Sequence, residues 1–197
     1  MKRIYIFPRY SGDENSDWYQ KVQREFVHND KNINIIPLTL PNWDKPSTDE
    51  FLSFIRQAIP ENKIDSNTYF IGHSIGCRAA LLYLNDLHIN NPKLRMGGLL
   101  CVAGWWSIDK PWPQLKSWIK MSIDFKGIKE ICSNNIVSIL SDNDPYTSDT
   151  QSNKKQWEEN LSAKVVIVPG AKHFNDSEGL IEIINEILPF SFKLYFL

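Results

Sequence analysis

Residues 68 to 80 read Thr-Tyr-Phe-Ile-Gly-His-Ser-Ile-Gly-Cys-Arg-Ala-Ala, an apolar β-type run that passes through Gly72-His73-Ser74-Ile75-Gly76 straight into a helix-forming stretch. No other pattern in the chain constrains its fold as tightly. A strand-to-helix turn this sharp forces Ser74 into strained backbone angles, while Gly72 and Gly76 bring no Cβ to clash with the adjoining strand and helix. The Ser74 hydroxyl is thereby pushed out of the sheet. Ile75 opens the helix, so its free N–H and the helix dipole both point to where a carbonyl oxygen would gather negative charge. The turn is a candidate nucleophile with one oxyanion donor beside it. A pattern of this length also arises by chance as a turn rich in small residues, so it needs partners before it carries chemistry.

The alternation of short β-branched or aromatic runs with helical stretches predicts an α/β fold around a mainly parallel, doubly wound sheet. Strands are expected at Arg3–Phe7, Asn34–Pro37, Thr68–Ile71, Gly98–Val102, Ile136–Leu140 and Val165–Val168. Helices are expected near Trp18–His28, Asp49–Ile59, Ile75–Leu87, Lys126–Cys132, Thr150–Leu161 and Ser177–Ile187. With 197 residues, the chain reads as one domain over 1–197. In such folds ligands bind beyond the carboxyl ends of the strands, so the residues just after each strand are the ones to search.

A serine hydroxyl requires a general base, usually a histidine oriented by a carboxylate. Of the four histidines, His28 and His88 fall at polar helix ends, and His73 is too close in sequence to turn its ring onto Ser74. His173 follows the last predicted strand through Pro169-Gly170-Ala171-Lys172 and reaches the same rim as Ser74. The strand before it runs into Ser141-Asp142-Asn143-Asp144-Pro145-Tyr146, which offers two carboxylates. Asp144 is preferred to Asp142, because the following proline biases it toward an extended backbone and fixes the bend. The order Ser, Asp, His is that of serine enzymes built on this kind of elbow. A second oxyanion donor is expected from the loop after the first strand, with Tyr10 N–H as first choice and Arg9 N–H as second.

Residues 104–125 hold four of the seven tryptophans and fit the alternation poorly. Tryptophan is usually buried for its area. The segment's place after the fourth strand also suits a pocket wall, with Trp105 or Trp106 contacting substrate. The apolar tail Leu188–Leu197 is expected to pack on the domain or on a second subunit.

A formal net charge of −1 without a basic block argues against nucleic-acid binding. No apolar run approaches membrane-spanning length. Cys77, Cys101 and Cys132 are well separated and lack metal or redox spacing, so they are expected to be reduced and buried. A cytoplasmic location follows by default. Neither a metal nor an organic cofactor is called for.

With GHSIGC, the Ser-Asp-Asn-Asp-Pro-Tyr loop and Ala-Lys-His-Phe-Asn in place, together with Leu40-Pro-Asn-Trp43 and Leu99-Leu-Cys-Val-Ala103, the sequence resembles the small α/β-hydrolases related to retinoblastoma-binding protein nine. The resemblance spans nearly the whole chain. It implies a compact serine hydrolase of the α/β-hydrolase fold with little or no cap, and Ser74, Asp144 and His173 as its matching triad. Two positions depart from that pattern: Pro-Arg-Tyr-Ser-Gly stands where a Gly-rich loop is usual, and Ala171 where a glycine is frequent. The expected partner is a small-molecule ester. Amide and thioester hydrolysis would use the same machinery, and a protein-interaction module on a hydrolase scaffold, its partner unidentified, is the reading from another class.

Overall fold

Strand β1 (Lys2–Phe7) leads through helix α1 (Tyr19–Asn29) to β2 (Ile33–Pro37). Helix α2 (Thr48–Ala58) then leads to β3 (Thr68–His73) and, across the elbow, to α3 (Ile75–Asn90) and β4 (Gly98–Val102). The short α4 (Lys116–Ile119) and α5 (Phe125–Ile131) precede β5 (Ile136–Ser141), followed by α6 (Thr150–Leu161) and β6 (Lys164–Val168). The computed structural model describes residues 1–176 together with 180, 183 and 184. The expected tail packing of 188–197 lies outside the described residues, as does most of the helix expected near 177–187; its residues 180, 183 and 184 are helical.

The six strands form one sheet in the order β2-β1-β3-β4-β5-β6, and every adjacent pair runs parallel. Alternating side chains along each strand divide the core into two layers. Tyr5, Phe7 and Phe70 face a layer covered by α2, α3, α5 and α6, where Phe51, Ile55, Leu81, Leu84, Ile128 and Trp157 pack. Ile4, Ile6 and Ile71 face the other, where α1 contributes Tyr19, Val22 and Phe26 and is joined by Leu180 and Ile184. Central strand β3 is buried at all six positions, whereas edge strand β6 is buried at none.

Helix starts follow local chemistry. Ser47 accepts from the Glu50 N–H at the head of α2, and Asp124 and Asp149 cap α5 and α6 in the same way. From β1 the chain winds outward to β2, then returns to lay β3 on β1's other side. The loops leaving β1 and β3 therefore part in opposite directions, and a crevice opens between them at the carboxyl edge.

Candidate active site

Ser74 occupies that crevice with φ 56° and ψ −120°, a conformation that costs a non-glycine residue on the order of 1–3 kcal/mol. Its N–H donates to the Val102 carbonyl of β4 at 2.8 Å, and its carbonyl accepts from the Cys77 N–H at 3.0 Å, so both flanks of the strained residue are fastened. The glycines make the turn feasible. A Cβ on Gly72 would lie 2.5 Å from the Cys77 Cα, and one on Gly76 would lie 2.1 Å from the Phe7 carbonyl oxygen. Helix α3 thus begins in direct contact with the backbone of β1.

After β5, Asp144 sits in a tight bend where its Oδ1 accepts the Tyr146 N–H at 2.9 Å. This turn holds the carboxylate still and leaves Oδ2 to accept from His173 Nδ1 at 2.7 Å. Both side chains are buried. A carboxylate on Nδ1 keeps the proton there, so Nε2 of His173 retains its lone pair and the ring can serve as a base. Asp142 is used differently. Its Oδ1 accepts the Gly170 N–H at 2.8 Å, while Asn143 Oδ1 accepts the Lys172 N–H at 2.7 Å, stapling the loop that carries His173. Lys172 and Phe174, on either side of His173, both have positive φ, so this loop needs such ties to persist.

A cavity of about 530 Å³ opens at this rim, and Ser74, Ile75, Tyr10 and His173 all line it. Its wall is aromatic. Tyr10 meets Trp112 with ring centroids 5.1 Å apart, Trp112 meets Tyr146 at 6.2 Å, and Tyr146 meets the His173 ring at 4.6 Å. The tryptophan-rich segment supplies Trp105, Ile108, Trp112 and Leu115 to the lining. Trp106 is placed elsewhere: its ring packs against Trp157 and Phe125 behind the wall, and its backbone N–H donates to Asn153 Oδ1. Trp118 is buried, with its indole N–H donating to the Pro46 carbonyl at 2.8 Å.

In the loop after β1, the Arg9 N–H donates to the Tyr19 hydroxyl at 3.0 Å, so it is already engaged. The Arg9 guanidinium pairs with Asp17 at 2.7 Å and donates to the Tyr10 carbonyl at 2.9 Å. Arg9 thus braces the loop while Tyr10 faces the cavity.

His73 is fully buried, and burial together with the neighbouring His173 lowers its pKa to about 3. The ring is therefore neutral at physiological pH. Tyr19, Asp17, Trp112 and Tyr146 are additions that the structure makes to the site. Trp112 and Tyr146 lie in segments already singled out in the sequence, without a sign of their individual roles; Tyr19 and Asp17 carry no local signal, and the pairing of β1 with β3 brings them to the elbow. The three cysteines are free and buried. Among the described residues, no group of three His, Cys, Asp or Glu side chains is placed to hold a metal ion, and no helix is long and apolar enough to cross a membrane.

A family model described as serine hydrolase matches residues 4–186. The Bacillus subtilis (strain 168) protein YdeN is 24% identical over 189 residues, covering 95% of this chain and 94% of YdeN. The crystal structure of the ydeN gene product superposes with a TM-score of 0.79 at 21% identity, over 95% of this chain and 99% of that one. Est1E from Butyrivibrio proteoclasticus, solved with ferulic acid bound, gives a TM-score of 0.72 at 10% identity, over 98% and 89%. At these identities, the structural likenesses establish the shared α/β-hydrolase fold.

Proposed function

Because the chain belongs to the serine hydrolase family, we propose that it hydrolyses small carboxylic esters through Ser74, His173 and Asp144, by way of an acyl-enzyme. Ser74 Oγ attacks the ester carbonyl as His173 Nε2 takes its proton. The oxyanion of the tetrahedral intermediate accepts from the N–H groups of Ile75 and Tyr10. Collapse breaks the ester C–O bond, and the alcohol leaves with the proton held by His173. Water then attacks the acyl carbon with His173 again as base, and the carboxylic acid is released as Ser74 recovers its proton. Asp144 keeps the imidazole in the correct tautomer and stabilises the imidazolium without accepting the proton itself.

The observation that carries this reading is the buried 2.7 Å contact between His173 Nδ1 and Asp144 Oδ2, on a ring that shares one cavity with a strained Ser74. Engagement of the Arg9 N–H by Tyr19 favours Tyr10 as the second oxyanion donor. The cavity and its aromatic wall favour a small organic ester with apolar substituents. Three free, buried cysteines favour a reducing compartment, and the cytoplasm is the proposed site of action. Turnover of p-nitrophenyl acetate by native protein and by Ser74→Ala tests the assignment. The rate above background should vanish in the variant, and equal rates would exclude it.

A further inference from the structure

The geometry points to His73 and Tyr19 as positioning residues: a buried hydrogen-bonded strut that sets the oxyanion loop and the loop of the base at a fixed separation. The inference rests on the ester-hydrolase reading above and extends it to two side chains outside the triad. His73 Nε2 lies 2.8 Å from the His173 carbonyl oxygen, and Nδ1 lies 2.9 Å from the Tyr19 hydroxyl. A carbonyl oxygen only accepts, so Nε2 carries the proton and Nδ1 accepts from Tyr19. The Tyr19 oxygen in turn accepts from the Arg9 N–H at 3.0 Å. With that tautomer the bonds run from the residue next to Tyr10 through α1 and the elbow to the backbone of His173, with the Asp17 carboxylate also beside the Tyr19 hydroxyl.

An apolar residue at position 73 would fill the same space without the cost of burying a polar ring, so two satisfied ring nitrogens need an explanation. Catalysis supplies one. His173 is held at two points, its ring by Asp144 and its main chain by His73, in a loop whose neighbouring residues have positive φ. Asp17 adds a parallel brace, pairing with Arg9 at 2.7 Å and accepting from Asn175 Nδ2 at 3.1 Å. The strut therefore links the two groups that act on the transition state from opposite sides, a donor for the oxyanion and the proton acceptor. Such groups lose efficiency steeply with small displacements.

The test compares kcat and KM for p-nitrophenyl acetate in native protein, His73→Leu, His73→Gln, Tyr19→Phe and the double variant His73→Leu/Tyr19→Phe. His73→Leu removes the donor to His173 and should lower kcat roughly ten- to hundredfold, with KM changed less than about threefold. His73→Gln keeps an amide N–H able to reach the His173 carbonyl and should recover most of that loss. Tyr19→Phe deletes one oxygen and should lower kcat by severalfold. The double variant should lose less than the product of the two single losses, because His73→Leu has already broken the strut that Tyr19 completes. Native kcat in Tyr19→Phe overturns the proposal even if His73→Leu fails to fold, as does an equal loss in the Leu and Gln variants accompanied by raised KM. Ser74-dependent turnover that is indifferent to these substitutions removes the strut and leaves the ester-hydrolase reading standing. Absence of any Ser74-dependent turnover in native protein overturns both.

Discussion

Replacing Gly76 by alanine tests whether α3 truly begins against the backbone of β1. The added Cβ would sit 2.1 Å from the Phe7 carbonyl oxygen and 2.6 Å from that of Pro8. The first of these is about 1 Å inside the closest approach that real Cβ atoms tolerate, and both obstacles are main chain, so no rotamer change relieves them. The helix must back away from β1, or β1 must bend. Overpacking of this kind costs about 1–3 kcal/mol and occasionally more, and a purely backbone clash belongs at the upper end. Against it, alanine is favoured over glycine within a helix by about 1 kcal/mol. The net expectation is a loss of about 2 kcal/mol, with any Ser74-dependent turnover reduced further because the shift moves the Ile75 N–H. Urea denaturation read by tryptophan fluorescence, beside a turnover assay, measures both. Gly170→Ala is the internal contrast: no atom lies within 4 Å of its Cβ, but φ is +70°, so only the left-handed conformation, about 1 kcal/mol, is at stake. A Gly76→Ala protein as stable as native, or more so, would mean that helix propensity wins and the close approach is not real.

His73 should make the protein sensitive to acid. Its neutral ring faces Tyr19, Asp17, Arg9 and His173, and its folded pKa of about 3 lies below the ordinary value of 6.5. Between those values the unfolded chain binds a proton that the folded chain refuses, so stability is complete above pH 6.5 and falls by about 1.4 kcal/mol for each pH unit below it. Urea midpoints at pH 7 and pH 5 should show His73→Gln losing about one proton's worth of this slope, and an identical slope in the variant would refute the linkage. Arg78, buried against Trp105 and Trp106, donates to the Trp118 carbonyl at 2.6 Å but leaves Nε and Nη1 without partners. Arg78→Met should change stability by no more than about 1 kcal/mol, since removing an uncompensated buried charge offsets the lost hydrogen bond; a loss above about 3 kcal/mol in denaturant would contradict this. Ser47→Ala removes the cap of α2, whose bond is long at 3.4 Å, and should cost about 0.5–1 kcal/mol in the same assay.

Much of the architecture is legible in the sequence because its signals are local. The six strands begin and end within two residues of their expected bounds, since β-branched runs between turn residues mark buried parallel strands directly. The elbow is legible for the same reason: Gly72 and Gly76 are required by contacts made within a few residues or with the adjacent strand. Asp144 and His173 can be chosen because chain order and strand ends carry them to one edge of the sheet. Side-chain roles that depend on distant segments are not legible. Pro145 tells Asp144 from Asp142 in the sequence, but that Asp142 staples Gly170, 28 residues further on, is visible only in the folded chain. Trp105 lines the pocket and Trp106 packs on Trp157 behind it, and neighbouring indoles give no hint of which reaches the cavity. Tyr19 stands 54 residues from His73, and its hydroxyl reaches Nδ1 only because β1, which leads into α1, is paired with β3. Sequence proximity to Ser74 excludes His73 as the base and goes no further. Its location beneath the site, with both ring nitrogens bonded, is a property of the assembled core.

The central claim is that Ser74 is a nucleophile activated by His173 and Asp144, and covalent labelling reads it most directly. Native protein treated with a fluorophosphonate should gain one adduct, which peptide mass mapping assigns to the segment 68–80 at Ser74. His173→Ala and Asp144→Asn should label at least about a hundredfold more slowly, in keeping with the cost of removing a base or its orienting carboxylate. A folded native protein that stays unlabelled, or one modified at another residue while Ser74 is spared, would contradict the account.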